Sequence, residues 1–564
     1  MSVNLYPQSI KPVVDLEDGV TVYVPGYAYI GPEEPTLCSS VSEFEGLYGT
    51  TPYLFEADQS TSQISKGSPE KGYLYAKSLL ESGLKVLFHR FKTNGAKTAQ
   101  ASYSLKYWLK GAEAYEEMFL VAQAISFGKA YANSLVKMET LGGSLFRVTV
   151  KDSGGNTVSN EVVSFDPSNP LYIRLGTYGL IKFKTTKSTT DTTIVDFTDS
   201  IMAQISQLTF VEGVQPSLEG QFTLTPSTEV TETVNNDPKV LKGTVKLTIE
   251  SGGPANEFYL DDVKEGGKTK ITGMLSSLAD KMMDPLKDFE RYPSIAYLTS
   301  GGYYLDSYTI TAEKLMAYAV TLSAVAIVDL DKSINDQTSW GTAKAAYAGL
   351  SGSKLSKARS ASFAGCNSFS LTPYRVILGD SFNYLKSLGE NMKSGIKPWI
   401  PVANDPNGVS PLGYDTTKKI STDLAETMAE GKIGVSVNPL IYSKAAGGYK
   451  IMGNRTLYPN DGVLEPNSFL NIAVIVTRVE RAARQIANKL KIVSTNPDDT
   501  FLKFKQSVAK TIDPMVVNQD GVISYRIKHL PKDKPATINI QIHLVVLEGI
   551  ETFNIYIPYE LQLD

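Results

Sequence analysis

Residues 432–456 read KIGVSVNPLIYSKAAGGYKIMGNRT and lead, after a short gap, into VTRVERAARQIANKL at 476–490. Ile433, Val435 and Val437 alternate as the residues of a strand do, and Ala445 to Gly448 supplies a tight turn into a second short strand ending at Met452. The period then changes. Ile475, Val479, Ala482, Ala483, Ile486 and Leu490 fall on one face of a helix, with Arg478, Arg481, Arg484, Lys489 and Lys491 on the opposite arc. A hairpin-like layer followed by a helix with one packing side and one positive side is predicted. The positive side fits either a solvated face or an electrostatic contact with an acidic partner.

Working outward, GVTVYVPGYAYIG at 19–31 places Val20, Val22 and Val24 on one strand face before a Pro-Gly break. Helical spacing in Leu74, Leu79 and Leu80 closes at Gly83, and a strand is predicted at Val86–Phe91. Strand, helix, strand in that order predicts an α/β core. Between about 95 and 275 the composition shifts to Thr, Ser, Val and Gly, and LFRVTVKDSGGNTVSNEVVSF reads as a hairpin turning at Asp152 to Gly155. A second alternating run, Thr244 to Ile249, follows a turn cluster at Asn235 to Pro238. The α/β pattern resumes with strands at 294–299 and 323–330, helices at 312–318 and near 342–350, and short strands at 360–364 and 368–371. The core is therefore expected to be discontinuous in sequence, with a β-rich insertion. The expected divisions are an N-terminal arm at 1–18, core at 19–94, the β-rich insertion at 95–275, the remaining core with a C-terminal core region at 276–548, and a strand arm at 549–564.

The two ends differ in pattern. Before Gly19 the chain carries Pro7 and Pro12 and no packed-core spacing, as an extended arm would. Near the other end Ile538, Ile540, Ile542 and Leu544 alternate with Asn539, Gln541 and His543. Phe553, Ile555, Ile557, Tyr559, Leu561 and Leu563 then share one strand face. Burying six such side chains contributes roughly 9 to 18 kcal/mol before ordering entropy is subtracted, so this strand is expected to pair with something. Exchange into a neighbouring molecule and closure of the chain's own sheet both satisfy that demand.

Bulk properties exclude several classes. With 564 residues, 42% hydrophobic and 20% charged, the chain is long and apolar enough for several folded domains, and a net charge of −4 is not that of a chain that coats nucleic acid. Cys38 and Cys366 stand too far apart for a CxxC metal site or a disulfide framework, which fits a reducing cytoplasm. MSVNLYPQSIKPVVDLEDG has no apolar signal-peptide core, and no run approaches bilayer-spanning length, so neither export by a signal peptide nor membrane insertion is expected. His89, His529 and His543 have no nucleophile or ligand at motif spacing and read as strand-face residues, and no GxSxG elbow occurs. Gly266-Gly267-Lys268-Thr269 lacks the glycine of a phosphate loop at Asp262 and reads as a polar turn. Asp329-Leu330-Asp331-Lys332 lacks the glycine of a calcium loop, which is Ile334, and reads as a strand-end turn. No catalytic, metal or cofactor site is predicted.

Asn438-Pro439, the turn at Gly447-Gly448 and Gly453-Asn454-Arg455-Thr456-Leu457 resemble a pattern of the contractile phage tail sheath family. That family has Asn-Pro, a Gly-rich turn and Trp-Gly-Ala-Arg-Thr-Leu before a helix. Met452 stands where the family usually has Trp, and Asn454 where it has Ala. The N-terminal order is similar too, with Gly31-Pro32, Ser42, Phe44, Tyr48-Gly49, Gly83 and Arg90 in matching places, and SFGKAYANSLV resembles the entry to that family's inserted domain. The resemblance implies an α/β core near a tail tube, a β-rich outer domain, and terminal arms that complete a small sheet shared between copies. The arm residues it implies are Val13, Val14, Phe553, Ile555, Ile557, Tyr559, Leu561 and Leu563. It also implies Arg478, Arg481, Arg484, Lys489 and Lys491 as contacts to the tube or to a neighbour. The implied partners are further copies of the chain, a tail tube protein, and baseplate and tail terminator proteins, within a virion tail assembled in the host cytoplasm. The implied activity is contraction that drives the tube through a host envelope, with no nucleotide, no sequence-specific nucleic acid and no enzymatic step. A pyocin-like injection particle uses the same architecture, and an α/β hydrolase-like enzyme with a β-rich binding insertion is the reading from another class.

Overall fold

The computed structural model describes residues 19–26, 28, 30–32, 34–49, 71–90, 98–126, 131–173, 177–186, 199–234, 237–249, 263–265, 268–270, 294–302, 309–330, 334–364, 378–402, 420–430, 433–443, 448–491, 497–517, 521–530, 537–546 and 549–560, the last as backbone. The predicted arm at 1–18 with Val13 and Val14, the strand at 368–371, Cys366, Leu561 and Leu563 lie outside the described residues.

The core is a six-stranded sheet in the order Ser360–Ala361, Val325–Ile327, Ile295–Leu298, Thr21–Gly26, Lys85–Arg90, Thr36–Cys38. The first five strands run parallel and Thr36–Cys38 is antiparallel. Thr21 sits opposite Ile295 on one side and Lys85 on the other, so strands from both sides of the β-rich stretch share one sheet. Unbroken apolar runs such as Val22-Tyr23-Val24 explain the arrangement, because a parallel strand covered on both faces needs apolar side chains in both directions. Val22, Val24, Val86 and Phe88 pack with helices Lys71–Glu81, Ser381–Lys393 and Leu470–Lys491. Tyr23, Leu87, Leu298 and Ala326 pack instead with helices Thr309–Thr321, Gln337–Ala348 and Thr422–Glu430. Helix Lys71–Glu81 approaches so closely that a Cβ on Gly72 would stand 2.4 Å from Pro25 O and 2.5 Å from Gly26 Cα.

The β-rich stretch pairs within itself. One sheet has the order Thr209–Phe210, Gln221–Pro226, Gln100–Trp108, Glu116–Ala124, Ile181–Thr186; the other, Thr244–Lys246, Leu135–Gly142, Leu145–Lys151, Thr157–Ser164. Inward residues of both, among them Tyr103, Leu105, Leu120, Val136, Phe146 and Val148, form one core. The hairpin at Asp152 is present: the Asp152 carboxylate accepts from Gly154 N at 2.9 Å and Asn156 N at 2.8 Å, which fixes the turn.

Several elements differ from expectation. The run Ile433–Val437 is not one strand; Ile433–Gly434 pairs with Asn460–Asp461, and the continuous strand is Asn438–Ser443. Gly434, at φ 91°, breaks the run, and Val435 and Val437 are buried without strand pairing. The predicted strand 360–364 divides between two sheets, Ser360–Ala361 joining the core and Phe363–Ala364 pairing with Asn438–Ser443. The basic helix starts at Leu470, six residues before the quoted segment, because the apolar run through Ile472 and Val474 is buried. Helices Ser381–Lys393 and Pro497–Val517 were not anticipated.

Candidate functional site

The quoted motif is the knot that joins the core to the long helix Leu470–Lys491. Asn438, fully buried, donates from Nδ2 to Ser362 O at 3.0 Å and Arg455 O at 2.9 Å, and its Oδ1 accepts from Arg455 N at 2.7 Å. Leu457 N donates to Ser360 O at 2.7 Å, which ties the same segment to the edge of the core sheet. Asn454 then starts the helix from outside: its carbonyl accepts from Leu470 N at 3.0 Å and its Oδ1 from Asn471 N at 3.2 Å. The carboxamide satisfies the Asn471 N–H of the first turn, which the Ala of the resembled pattern does not, while the Leu470 N–H is met by the main chain whichever residue stands at 454. The Arg455 guanidinium lies 4.4 Å from the Phe469 ring centroid, closing the knot.

The arginines of the long helix serve the fold itself. Arg481 Nη1 donates to Ser323 O at 2.5 Å and Arg484 Nη1 to Thr321 O at 2.6 Å. Arg359, from outside the helix, donates to Val320 O at 3.2 Å and forms a buried ion pair with Glu480. Three guanidiniums thus meet the carbonyl end of helix Thr309–Thr321, where orphan acceptors and the negative end of the helix dipole favour cations. Burial, with the Arg478 charge beside it, lowers the Arg481 guanidinium to about 9, so it remains charged at neutral pH. Arg478 stacks 5.1 Å from the Trp399 ring. Lys489 is exposed, while the side chain of Lys491 lies outside the described residues. The helix wheel found the charged arc, but partners more than a hundred residues away leave no local signal.

The C-terminal strands form an antiparallel sheet, Val522–Leu530, Thr537–Val546, Gly549–Glu560. Ile527, Ile540, Ile542, Leu544 and Val546 are buried with Ile475, Val479, Val508 and Ile512 of the two long helices. Arg526, Lys528, Gln541 and His543 belong to the other face, since Arg526 sits opposite His543 and Lys528 opposite Gln541. The last strand pairs with its own chain, Ile555 opposite Ile542, Ile557 opposite Ile540, Phe553 opposite Leu544 and Tyr559 opposite Ile538. Closure of the chain's own sheet is therefore the pairing seen. The outer edges of Val522–Leu530 and Gly549–Glu560 carry no further strand among the described residues.

The same fold occurs in the sheath tail protein Lin1278 from Listeria innocua, with a TM-score of 0.52 and 10% identity over 97% of this chain and 96% of that one. This chain has a contractile tail sheath-like fold. A weaker likeness is to the sheath tail protein from Desulfitobacterium hafniense, with a TM-score of 0.42 and 9% identity over 100% and 99% of the two chains. Another is to a chain of the anti-feeding prophage baseplate in its contracted state, with a TM-score of 0.38 and 15% identity over 53% and 79%. No protein-family model and no curated protein sequence matches this chain.

Within the sheath-like fold, the described residues weighed for chemistry fall on strands or at strand ends. His89, on a core strand, has Nδ1 2.7 Å from Tyr23 Oη, and burial lowers its pKa to about 4. The Asp329 carboxylate, at a strand end, accepts from Ser381 N at 2.9 Å and Phe363 N at 3.1 Å, and burial raises its pKa. Lys268–Lys270 pairs antiparallel with Val263–Glu265. His529 and His543 lie on Val522–Leu530 and Thr537–Val546. Among the described residues, no group of three His, Cys, Asp or Glu is placed to hold a metal ion, and no helix is long and apolar enough to cross a membrane.

Proposed function

We propose that this chain is a structural, non-enzymatic subunit of a contractile tail sheath, which polymerises helically around a tail tube and contracts to drive that tube through a host envelope during genome ejection. The observation that carries the reading is the fold shared over nearly the whole length of both chains with the Listeria innocua sheath tail protein. The partners are further copies of itself, the tube protein, and baseplate and terminator proteins, in a virion tail assembled in a bacterial cytoplasm. The β-rich stretch faces outward.

The joints between copies are strand pairings on the two open edges of the C-terminal sheet. Residues around Val13 and Val14 and the segment Phe553, Ile555, Ile557, Tyr559, Leu561 and Leu563 supply the arms. A strand edge offers main-chain donors and acceptors that another strand satisfies without remodelling either copy. Pairings that persist while cores rotate keep the lattice continuous. Lys489, with Lys491, meets the tube or a neighbour, while Arg478, Arg481 and Arg484 hold the helix that presents them.

Negative-stain microscopy of the purified protein, alone and with its tube protein, tests the proposal. Striated tubes or polysheaths are expected. A monomer that stays dispersed at high concentration and hydrolyses ester or glycoside substrates would overturn it.

A further inference from the structure

The segment that leaves the first core strand is gripped from two sides. From the core, buried Arg90 donates from Nε to Ala28 O at 2.8 Å and from Nη1 to Gly31 O at 2.9 Å. From the β-rich part, the Tyr131 hydroxyl accepts from Gly31 N at 3.0 Å, and Ile30 packs against the β-rich core. Arg90 Nη1 also donates to Ser126 Oγ at 2.6 Å, bridging the two parts directly. Arg90, Ser126 and Tyr131 are 1%, 1% and 2% exposed, so none of these bonds competes with water. Gly31 permits the approach: its φ is 118°, and a Cβ there would stand 2.3 Å from the Tyr48 ring.

Two folded parts joined only by chain crossings move relative to one another by default. Here the joint is instead a charge-assisted, water-excluded network. Loosening it would take the Ser126 acceptor from the Arg90 guanidinium and the Tyr131 acceptor from the Gly31 N–H in a dry site. We propose that Arg90, Ser126 and Tyr131 form a clamp that makes the β-rich part and the α/β core one mechanical body, so that load applied to either is transmitted to the other without a hinge between them. The clamp goes beyond the sheath proposal and is tested on the unassembled chain, so either can fail without the other.

The test is calorimetry with hydrogen exchange on the full chain. Wild type is expected to melt in one cooperative transition, with Gln100–Trp108 and Thr21–Gly26 protected to a similar degree. The double variant Ser126→Ala/Tyr131→Phe keeps Arg90 and its bonds to Ala28 and Gly31. It is expected to split the transition and to speed exchange in Gln100–Trp108 about tenfold, with Thr21–Gly26 unchanged. Tyr103→Phe is the control, because its hydroxyl donates to Val136 O at 2.7 Å wholly inside the β-rich part; it should lower the single transition without splitting it. Two transitions in wild type, or a double variant whose parts lose protection together as in the control, would overturn the clamp.

Discussion

The six-stranded core sheet and the three-stranded C-terminal sheet end in opposite ways. The core sheet closes on edges of two and three residues, Ser360–Ala361 and Thr36–Cys38, and helices cover both of its faces. The C-terminal sheet has one face on the long helices, a polar face opposite, and edges of nine and twelve residues, Val522–Leu530 and Gly549–Glu560. Short edges are how a folded chain avoids unwanted pairing, whereas long open ones are templates for another strand. The comparison teaches that this chain keeps the edges of its core sheet short and, among the described residues, carries its longest strand edges on the C-terminal sheet.

If that division is right, deleting 549–564 abolishes tube formation while the core remains folded, read by negative-stain microscopy beside circular dichroism. Normal tubes from the truncated chain would break the comparison. The next effect lies on the core side. Glu480→Ala leaves the Arg359 guanidinium buried without its carboxylate, and a loss of about 3–5 kcal/mol in urea unfolding is expected, more than surface ion pairs contribute. Asn438→Ala removes the carboxamide that holds Ser362 and Arg455 together, with an expected loss of about 2–3 kcal/mol by the same measurement. An unchanged midpoint in either variant would mean that the long helix is not fastened as described.

The smallest effect is on pH dependence. His89 titrates at about 4 in the fold against 6.5 when free, because burial disfavours its charged form. Its folded pKa is depressed, so its contribution to stability is complete above about pH 6.5 and is lost as pH falls toward 4. His89→Gln should flatten the urea midpoint across that window and leave the rest of the profile in place; an unflattened profile would assign the acid sensitivity elsewhere.

Much of the core was legible because its strands are unbroken apolar runs, and the Asp152 hairpin because its turn residues act on their own backbone. The change of pattern that later reverts is legible in the sequence, and the core sheet takes strands from both 21–90 and 295–361. Helix Ser381–Lys393 was not, since Asn383, Lys386 and Ser387 are polar yet buried and blur the apolar period. Nor was the work of Arg481 and Arg484. A helical wheel ranks faces by charge but cannot show that the carbonyl end of helix Thr309–Thr321 arrives against one of them. Asn454 reads in the sequence only as a departure from a pattern, and its use as a cap depends on Asn471, seventeen residues further on. The alternation of the last strand announces a need for pairing, which one edge meets within the chain while the other carries no further strand among the described residues.

The most direct measurement is a helical reconstruction of assembled tubes at a resolution that traces the chain. The account predicts that a strand from a different copy lies hydrogen-bonded along Val522–Leu530 or Gly549–Glu560. Tubes in which both edges are bare, with copies joined through other surfaces alone, would contradict it.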